Sequence, residues 1–375
     1  MTYKKIKNFL LIIIIIILLD FLLTYFLFSK FNLYNIFYPN FDHRISNDYY
    51  HHSFKENVNT TDFWGDFSYN FITNSLGFKD KQNRAVDKKT KLKKRIIING
   101  DSFVEGIGIE YKKTFVGMLD NYLYEKNIEI LNAGVASQSP ILYYKKIFHI
   151  LEIQNLEFDE LILFLDISDI PDEFFYSEDD YTDGKLKKDL RDRLQDFMVE
   201  NSSVYLFFDV FFSQVELLKN KFFLRYEASK FYKINLFQLT KNQINIYKAI
   251  NVERGNWIHD ELYWNKYGIS GRDLAEKNLN KLYLLCKKYN IKFTLVLYPW
   301  PKQIYYKVNN NRHNKFWEDW AHEKNINFID LNDEFNKLPS LEVIDRYFIK
   351  GDIHWNEEGH KYIYDLMKKY YFEIK

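Results

Sequence analysis

The sequence predicts an α/β fold in which a parallel β-sheet lies between two layers of helices, preceded by a transmembrane helix. Short apolar runs, several of them β-branched, alternate with longer stretches that carry apolar residues at helical spacing. A nearly unbroken apolar run also fills Phe9–Phe28. At about 1.5 Å per residue, a helix over this run has the length of one bilayer core.

The composition excludes several classes of protein. The chain has 375 residues, of which 47% are apolar and 19% aromatic, so a large core is expected. The 52 Lys and Arg residues nearly cancel the 51 Asp and Glu residues, so we expect no nucleic-acid partner held by an overall field. The single cysteine, Cys286, excludes an intramolecular disulfide framework and a zinc site with several cysteines.

The N-terminal run predicts a membrane anchor. Lys4, Lys5 and Lys7 precede it, and the positive-inside rule then puts the N-terminus in the cytoplasm and the chain after about residue 30 on the periplasmic side. No small-residue cleavage pattern follows the run, which favours an uncleaved signal anchor over a cleaved signal peptide. Asp20 is the one charge inside the run. It either pairs with a partner helix or sits protonated or snorkelled, and both interpretations stay open.

The domain organisation follows from changes in composition. Residues 1–30 form the cytoplasmic tip and anchor, and residues 31–90 are expected to be a membrane-proximal lead-in with little regular structure. Residues 91–375 form one α/β domain, interrupted by an insertion at about 172–255. Residues 203–250 in the insertion are predicted to be helical. For Val204–Phe212 we favour a buried helix over a face lying on the membrane.

The elements of the α/β domain are predicted from hydrophobic periodicity and turn residues. The strands are expected at 96–98, Ile128–Leu131, Glu160–Leu165, Phe293–Tyr298 and Asn327–Leu331. The helices are expected at Thr114–Lys126, Pro140–Gln154, Gly271–Tyr289, Asn314–Glu323 and Glu358–Tyr371. Strands that alternate with helices in this way favour a single parallel sheet.

Polar residues follow several of these strands, where functional groups of parallel sheets collect. Ser102 follows the first strand and opens a helix, so its hydroxyl lies near backbone N–H groups that suit an oxyanion. The same position also suits an ordinary helix-capping serine. Gly134 follows the second strand, where it either allows close approach of a ligand or forms a simple turn. Ser168 follows the third strand.

Asp352 and His354 lie just before the last helix. Two residues apart in a non-helical stretch, their side chains face the same side, and a carboxylate beside an imidazole suits a general base. A metal site made of Asp352, His354 and His360 is the alternative, but no further ligand is evident. We therefore expect no metal and no cofactor.

Together these segments resemble the SGNH (GDSL-like) hydrolase superfamily. Gly100-Asp101-Ser102-Phe103 resembles its first block, Asn132-Ala133-Gly134 its second, and Asp352-Ile353-His354-Trp355-Asn356 its last. The Asp-x-His-Trp form is similar to that of the alginate O-acetylation proteins, and Asn74-Ser75-Leu76-Gly77-Phe78 recurs in membrane-anchored members. The resemblance covers residues 74–366.

The resemblance implies roles for these residues. It makes Ser102 the nucleophile, with His354 and Asp352 as its base and orienting carboxylate, and it places the N–H groups of Ser102 and Gly134 in an oxyanion hole. The third block departs from the family, because Ser168 stands where an asparagine completes that hole. We expect the Ser168 hydroxyl to take that place in the oxyanion hole, since it can still donate one hydrogen bond. A lost preorganised donor costs about 10²–10³ in rate.

The function expected from these residues is that of an extracytoplasmic serine esterase or O-acyltransferase. Its substrate would be an acyl, here acetyl, ester of a cell-envelope or exported polysaccharide. Trp300 and Trp355 either contact the carbohydrate or pack locally. A transferase would also need a membrane-embedded partner that delivers the acyl group. The alternatives are a weakly active or inactive glycan-binding or assembly protein on the same fold, and a lipid-acting esterase held at the membrane by Val204–Phe212.

Overall fold

The computed structural model describes residues 3–31, 43–65, 67–177, 181–182, 185–186, 190, 194, 197–198, 201–308 and 311–373. The chain divides into two compact units. Residues 42–186 and 240–375 form the sheet unit, and residues 1–41 with 187–239 form the helical unit.

The strands of the described residues comprise one five-stranded sheet and three two-stranded ribbons. They are β1 Arg44–Asn47, β2 His51–Phe54, β3 Asn59–Trp64, β4 Phe67–Ile72, β5 Lys94–Asn99, β6 Ile128–Asn132, β7 Glu160–Leu165, β8 Tyr181–Thr182, β9 Lys185–Leu186, β10 Lys292–Leu297 and β11 Asn327–Asp330. The large sheet is parallel throughout, in the order β11-β10-β7-β5-β6. All five predicted strands are confirmed.

The α-helices connect and cover these strands. They are α1 Tyr3–Phe31, α2 Ser102–Glu105, α3 Phe115–Tyr124, α4 Pro140–Phe148, α5 Asp169–Ser177, α6 Ser203–Tyr232, α7 Lys241–Ile250, α8 Glu261–Tyr263, α9 Ile269–Lys288, α10 Pro301–Tyr306, α11 Phe316–Glu323, α12 Asn332–Phe335, α13 Ser340–Tyr347 and α14 Glu357–Met367. The five predicted helices are confirmed, with small shifts at their ends.

The central strands explain why this sheet is the core. All six residues of β7 are buried, as are five of the six residues in each of β5 and β10. Neighbouring strand residues point to opposite faces, so both faces of the sheet are covered. The helices that cover it form two groups: α4, α5 and α9 contact one another, and α14 contacts both α3 and α13. The predicted three-layer α/β/α fold is therefore present.

The expectation of little regular structure at 31–90 is wrong for its described part. Strands β1 and β2 pair as one antiparallel hairpin, and β3 and β4 as another. The alternation of apolar and polar residues in Phe67–Ile72 and the left-handed turn at Gly65 are the local causes. The hairpins belong to the sheet unit, where Phe54 and Phe71 are buried beside Val135. Residues 32–42 of the expected lead-in lie outside the described residues.

The helical unit contains α1 and α6. Lys7–Leu27 within α1 is long and apolar enough to cross a membrane. Helices α6 and α7 confirm most of the helicity predicted for 203–250. The preference for a buried helix at Val204–Phe212 is wrong, because the four phenylalanines in this stretch are each at least 50% exposed. Among the described residues, α6 packs on α1 and on the Leu236–Gln238 turn.

Candidate active site

Ser102 stands at the start of α2, directly beyond the carboxyl end of β5. The Asp101 carboxylate caps the helix by accepting a hydrogen bond from the Phe103 N–H at 3.0 Å. The helix is short because Gly106 ends it in the left-handed conformation, with φ of 70°. This turn holds the Ser102 hydroxyl at the sheet edge, where it is 7% exposed.

His354 and Asp352 complete a chain of hydrogen bonds that starts at Ser102. His354 Nε2 lies 2.8 Å from Ser102 Oγ, and His354 Nδ1 lies 2.5 Å from Asp352 Oδ1. The His354 backbone N–H also donates to Asp352 Oδ1, at 3.0 Å. Both ring nitrogens therefore have a partner, and the carboxylate fixes the Nδ1–H tautomer that leaves Nε2 free to take the serine proton.

The charge of Asp352 is maintained by its neighbours. Burial alone raises the pKa of this carboxyl, but the hydrogen bonds and charge of His354 and the hydrogen bond from Trp64 outweigh burial and lower the pKa to about 2. Asp352 is thus ionised at neutral pH. It is then able to stabilise the imidazolium that forms when His354 accepts a proton.

Trp64 is a site residue that the sequence did not predict. Its indole Nε1–H donates to Asp352 Oδ2 at 2.9 Å, and its ring meets the His354 ring edge to face at 5.2 Å. It comes from the end of β3, in the segment expected to lack regular structure. The alternation in Phe67–Ile72 and the turn at Gly65 were signals for this hairpin, but no local pattern places Trp64 beside Asp352, 288 residues away.

Gly134 lies against the helix that carries Ser102. A Cβ atom at Gly134 would lie 2.4 Å from the Glu105 nitrogen and 2.7 Å from the Val104 carbonyl carbon. Its N–H donates to Asn132 Oδ1 at 3.0 Å, while Asn132 Nδ2 donates to the Val104 carbonyl at 2.9 Å. The predicted second segment thus packs against α2. The Gly134 N–H is already engaged within its own turn.

Ser168 faces a carboxylate. Both its hydroxyl and its backbone N–H donate to Asp166 Oδ1 at 2.7 Å. The other oxygen of Asp166 accepts from Trp300 Nε1 at 2.7 Å and from the Tyr298 hydroxyl at 3.0 Å. The serine hydroxyl that was expected to complete the oxyanion hole is therefore committed to Asp166 in this structure.

Asp101 links this buried network to the nucleophile. Burial and the nearby charge of Asp166 raise its pKa well above the ordinary value. Asp101 Oδ1 lies 3.0 Å from the Tyr298 hydroxyl, and Asp101 Oδ2 lies 3.1 Å from Ser102 Oγ. Ser102 Oγ therefore lies within hydrogen-bond distance of both Asp101 Oδ2 and His354 Nε2.

The two predicted carbohydrate-contacting residues are core residues. Trp300 is 1% exposed and Trp355 is not exposed at all. Trp355 is packed against Phe103 and Tyr298, with ring centroids 4.7 and 4.9 Å away. Neither tryptophan presents a ring face to a substrate, so the expectation of sugar stacking is corrected in favour of the local-packing alternative.

The alternative metal set is not assembled. His360 is buried, its Nδ1 accepts from the Phe115 N–H at 3.3 Å, and its ring stacks on the Phe115 ring. Burial lowers the pKa of His360 to about 3, so it stays neutral. Among the described residues no group of three or more His, Cys, Asp or Glu side chains is arranged to hold a metal ion.

A second group of charges fixes the end of α2. Glu105 is fully buried and accepts from Arg44 Nη2 at 2.6 Å and from the Ala136 N–H at 2.7 Å. Lys79 Nζ donates to the carbonyls of Gly106 and Ile109, at 2.8 and 2.7 Å, and burial lowers its pKa to about 7. Arg44 belongs to the β1–β2 hairpin. Arg44 and Lys79, both from the predicted lead-in, therefore hold the C-terminal end of α2 in place.

The fold and this constellation define a class: an α/β protein with a Ser–His–Asp triad at the carboxyl edge of a parallel sheet. In the comparisons with known proteins, no family model matches the sequence, and no curated protein is significantly similar to it.

Solved structures do resemble the chain. They include the acetyl xylan esterase AlAXEase, with a TM-score of 0.39 and 14% identity over 73% of this chain and 98% of that one. A member of the lipolytic G-D-S-L family from Veillonella parvula has a TM-score of 0.37 and 14% identity, over 75% and 99% of the two chains. LAE5, an α/β hydrolase from the metagenome of Lake Arreo, has a TM-score of 0.38 and 11% identity, over 75% and 95%.

Proposed function

We propose that this protein is a serine esterase or O-acyltransferase of the SGNH type that acts on acyl esters through Ser102, His354 and Asp352. The observation that carries the proposal is the continuous hydrogen-bond chain, 2.8 Å from Ser102 Oγ to His354 Nε2 and 2.5 Å from His354 Nδ1 to Asp352. These are the distances that a nucleophile, a general base and an orienting carboxylate require.

The reaction proceeds in two steps. Ser102 Oγ attacks the ester carbonyl while His354 Nε2 takes its proton, and the tetrahedral oxyanion forms near the N-terminus of α2. His354 then gives that proton to the departing alkoxide, which leaves Ser102 acylated. In the second step His354 activates water for hydrolysis or a sugar hydroxyl for transfer, and Ser102 is released.

The oxyanion donors are the least complete part of this site. The N–H of Ser102 opens α2 and the N–H of Gly134 lies close by, but the latter donates to Asn132, and the Ser168 hydroxyl donates to Asp166. This observation favours one alternative function, a weakly active or inactive glycan-binding or assembly protein. Measured turnover of an ester distinguishes the enzyme from the binding protein.

The setting of the reaction is also a proposal. The apolar Lys7–Leu27 segment supports a membrane anchor, and the lysines before it support a sheet unit on the periplasmic side. There the substrate would be an acetylated cell-envelope or exported polysaccharide. If the enzyme transfers acyl groups, a membrane-embedded partner delivers them.

The test is acetate release by the full-length protein in detergent micelles, from an aryl acetate and from an acetylated polysaccharide. The proposal predicts release that Ser102→Ala and His354→Gln each abolish. The matched control is Ser139→Ala, a buried serine hydroxyl that donates to Glu173 instead of His354. No release by the native protein on either ester, together with no Ser102-dependent labelling by a fluorophosphonate, contradicts the enzyme and favours the binding protein.

A further inference from the structure

Helix α6 carries a long exposed apolar stripe that the proposed chemistry does not use. We call it the aromatic face. It consists of side chains that are each at least 47% exposed: Val204, Phe207, Phe208, Phe211, Val215, Leu218 and Phe222. They recur at three- and four-residue intervals, which places them along one side of the helix. Contiguous exposed apolar surface of this kind marks a contact with a membrane or another protein.

The two acidic residues in this part of the helix lie on another side. Asp209 and Glu216 are two helical turns apart and therefore share a side, roughly 130° around the axis from the centre of the aromatic face. Asn220 falls near them. Exposed Phe212, Leu217 and Phe223 lie outside the aromatic face, so apolar side chains cover more than one side of this helix.

The start of α6 is tied to the apolar helix α1. Asp20 Oδ1 accepts from the Val204 N–H and from the Ser203 hydroxyl, each at 3.1 Å, and the Ser202 hydroxyl donates to Asp20 Oδ2. The Ser203 N–H donates to Thr24 Oγ1 at 2.6 Å, one turn further along α1. The two interpretations of Asp20 left open by the sequence are thereby separated: this residue pairs with a second helix.

This contact sets the depth of α6. Asp20 lies seven residues before Leu27, the end of the segment able to cross a membrane, which corresponds to about 10 Å of helix. A carboxylate at that depth is costly unless donors satisfy it, and the first turn of α6 supplies both a backbone N–H and the positive end of a helix. When α1 spans a bilayer, the first turn of α6 is therefore inside the membrane boundary.

We propose that the aromatic face of α6 is inserted among the acyl chains of the leaflet into which Asp20 and Thr24 project, as a second membrane contact beside α1. This inference rests on the proposed anchoring by α1 and is independent of the esterase chemistry. The helix enters the leaflet at its first turn and leaves its acidic side towards the headgroups and water. We assign lipid as the partner of the aromatic face, because α6 is hydrogen-bonded to α1, the helix proposed to cross the membrane.

The experiment uses full-length protein in phosphatidylcholine and phosphatidylglycerol vesicles, with single cysteines labelled by a fluorophore. The lipid carries a nitroxide on its acyl chain, which quenches only labels inside the membrane. The labelled positions are Phe211→Cys on the aromatic face, Leu22→Cys on α1 and Asn220→Cys on the polar side. Cys286 is buried, and burial raises its pKa to about 12, so the native protein gives the labelling background.

The proposal predicts that the lipid nitroxide quenches the Phe211 label to the same fraction as the Leu22 label, while aqueous iodide quenches the Asn220 label. A Leu22 label that is quenched beside a Phe211 label that is not would overturn the insertion of α6 and leave the anchor intact. A Phe211 label shielded from both quenchers would also overturn it, in favour of a protein or a second copy covering the face. An unquenched Leu22 label would remove the anchor and the inference together.

A matched pair of variants at Asp20 tests the hydrogen bonds between α1 and α6. Asp20→Asn keeps an oxygen that accepts from the Val204 N–H, whereas Asp20→Leu does not. We expect Asp20→Leu to reduce lipid quenching of the Phe211 label, with the Leu22 label unchanged, and Asp20→Asn to preserve both. Equal quenching of the Phe211 label in both variants would show that the Asp20 contact does not set the depth of α6.

Discussion

Replacing Trp64 by phenylalanine tests whether the N-terminal hairpin is part of the catalytic site. The change removes the indole N–H that donates to Asp352 Oδ2 at 2.9 Å and keeps an aromatic ring against His354. A hydrogen bond to a charged group contributes about 1.5–3 kcal/mol. Because the Asp352 side chain is 20% exposed and water replaces part of the lost bond, we take the lower end of that range.

About 1.5 kcal/mol corresponds to a roughly tenfold fall in kcat/KM for an aryl acetate, since each 1.36 kcal/mol changes a rate tenfold. We expect kcat to fall and KM to stay nearly unchanged, because Trp64 donates to Asp352, the carboxylate that orients His354, and does not contact the substrate. The matched control is Trp264→Phe, a half-buried tryptophan that stacks on Trp257. An unchanged kcat in Trp64→Phe, or an equal fall in Trp264→Phe, would show that the hydrogen bond from Trp64 to Asp352 does not support catalysis.

Three further predictions concern the same site. Asp352→Asn removes the charge that stabilises the imidazolium and should lower kcat by about 10²–10⁴; a fall below tenfold in steady-state assays would contradict the triad. Gly134→Ala forces its Cβ onto backbone at 2.4 Å and should lower the free energy of unfolding by about 1–3 kcal/mol in urea titrations, with loss of turnover. An unshifted urea midpoint would contradict this packing. Because the pKa of Asp352 is lowered from 3.8 to about 2, its stabilisation is present above about pH 3.8 and lost as the pH falls through 2. The urea midpoint of the native protein should therefore exceed that of Asp352→Asn at pH 5 and converge with it near pH 2, and a gap that widens in acid would contradict the assignment.

The core of the fold and three site residues were predictable from sequence for a common reason. The strands of a parallel sheet are continuous apolar runs, and the polar residue after each run must lie at the carboxyl edge of the sheet. Ser102 is fixed at that edge by the end of β5, and Asp352 with His354 by the start of α14. The expectation that these three side chains act together came from the resemblance of their segments to a known superfamily, since each position alone also suited a structural role.

The supporting residues were not predictable, because their contacts join distant parts of the chain. Trp64 and Arg44 lie on short hairpins whose position over the sheet is set by tertiary packing and not by local periodicity. Ser168 shows a different limit. Its place after β7 was predicted, but whether its hydroxyl turned to an oxyanion or to Asp166 depended on a side-chain rotation that the sequence does not specify.

The exposure of α6 had a third cause. An apolar, aromatic helix is assigned to the protein core if exposure to water is the only other possibility considered. The contact between Asp20 and Val204 changes that interpretation, since it ties the helix to a segment long enough to cross a membrane. The periodicity of the sequence predicts that this segment is helical. Its surroundings are indicated only by the hydrogen bonds to α1.

Covalent trapping is a direct measurement of whether Ser102 is a nucleophile. Full-length protein in micelles is treated with a fluorophosphonate, digested and mapped by mass spectrometry, beside Ser102→Ala and His354→Gln. If Ser102 is the nucleophile and His354 its base, we expect one phosphonylated peptide, carrying Ser102, with slower labelling in His354→Gln and none in Ser102→Ala. Labelling of another residue, labelling that survives Ser102→Ala, or an unlabelled native protein would contradict it.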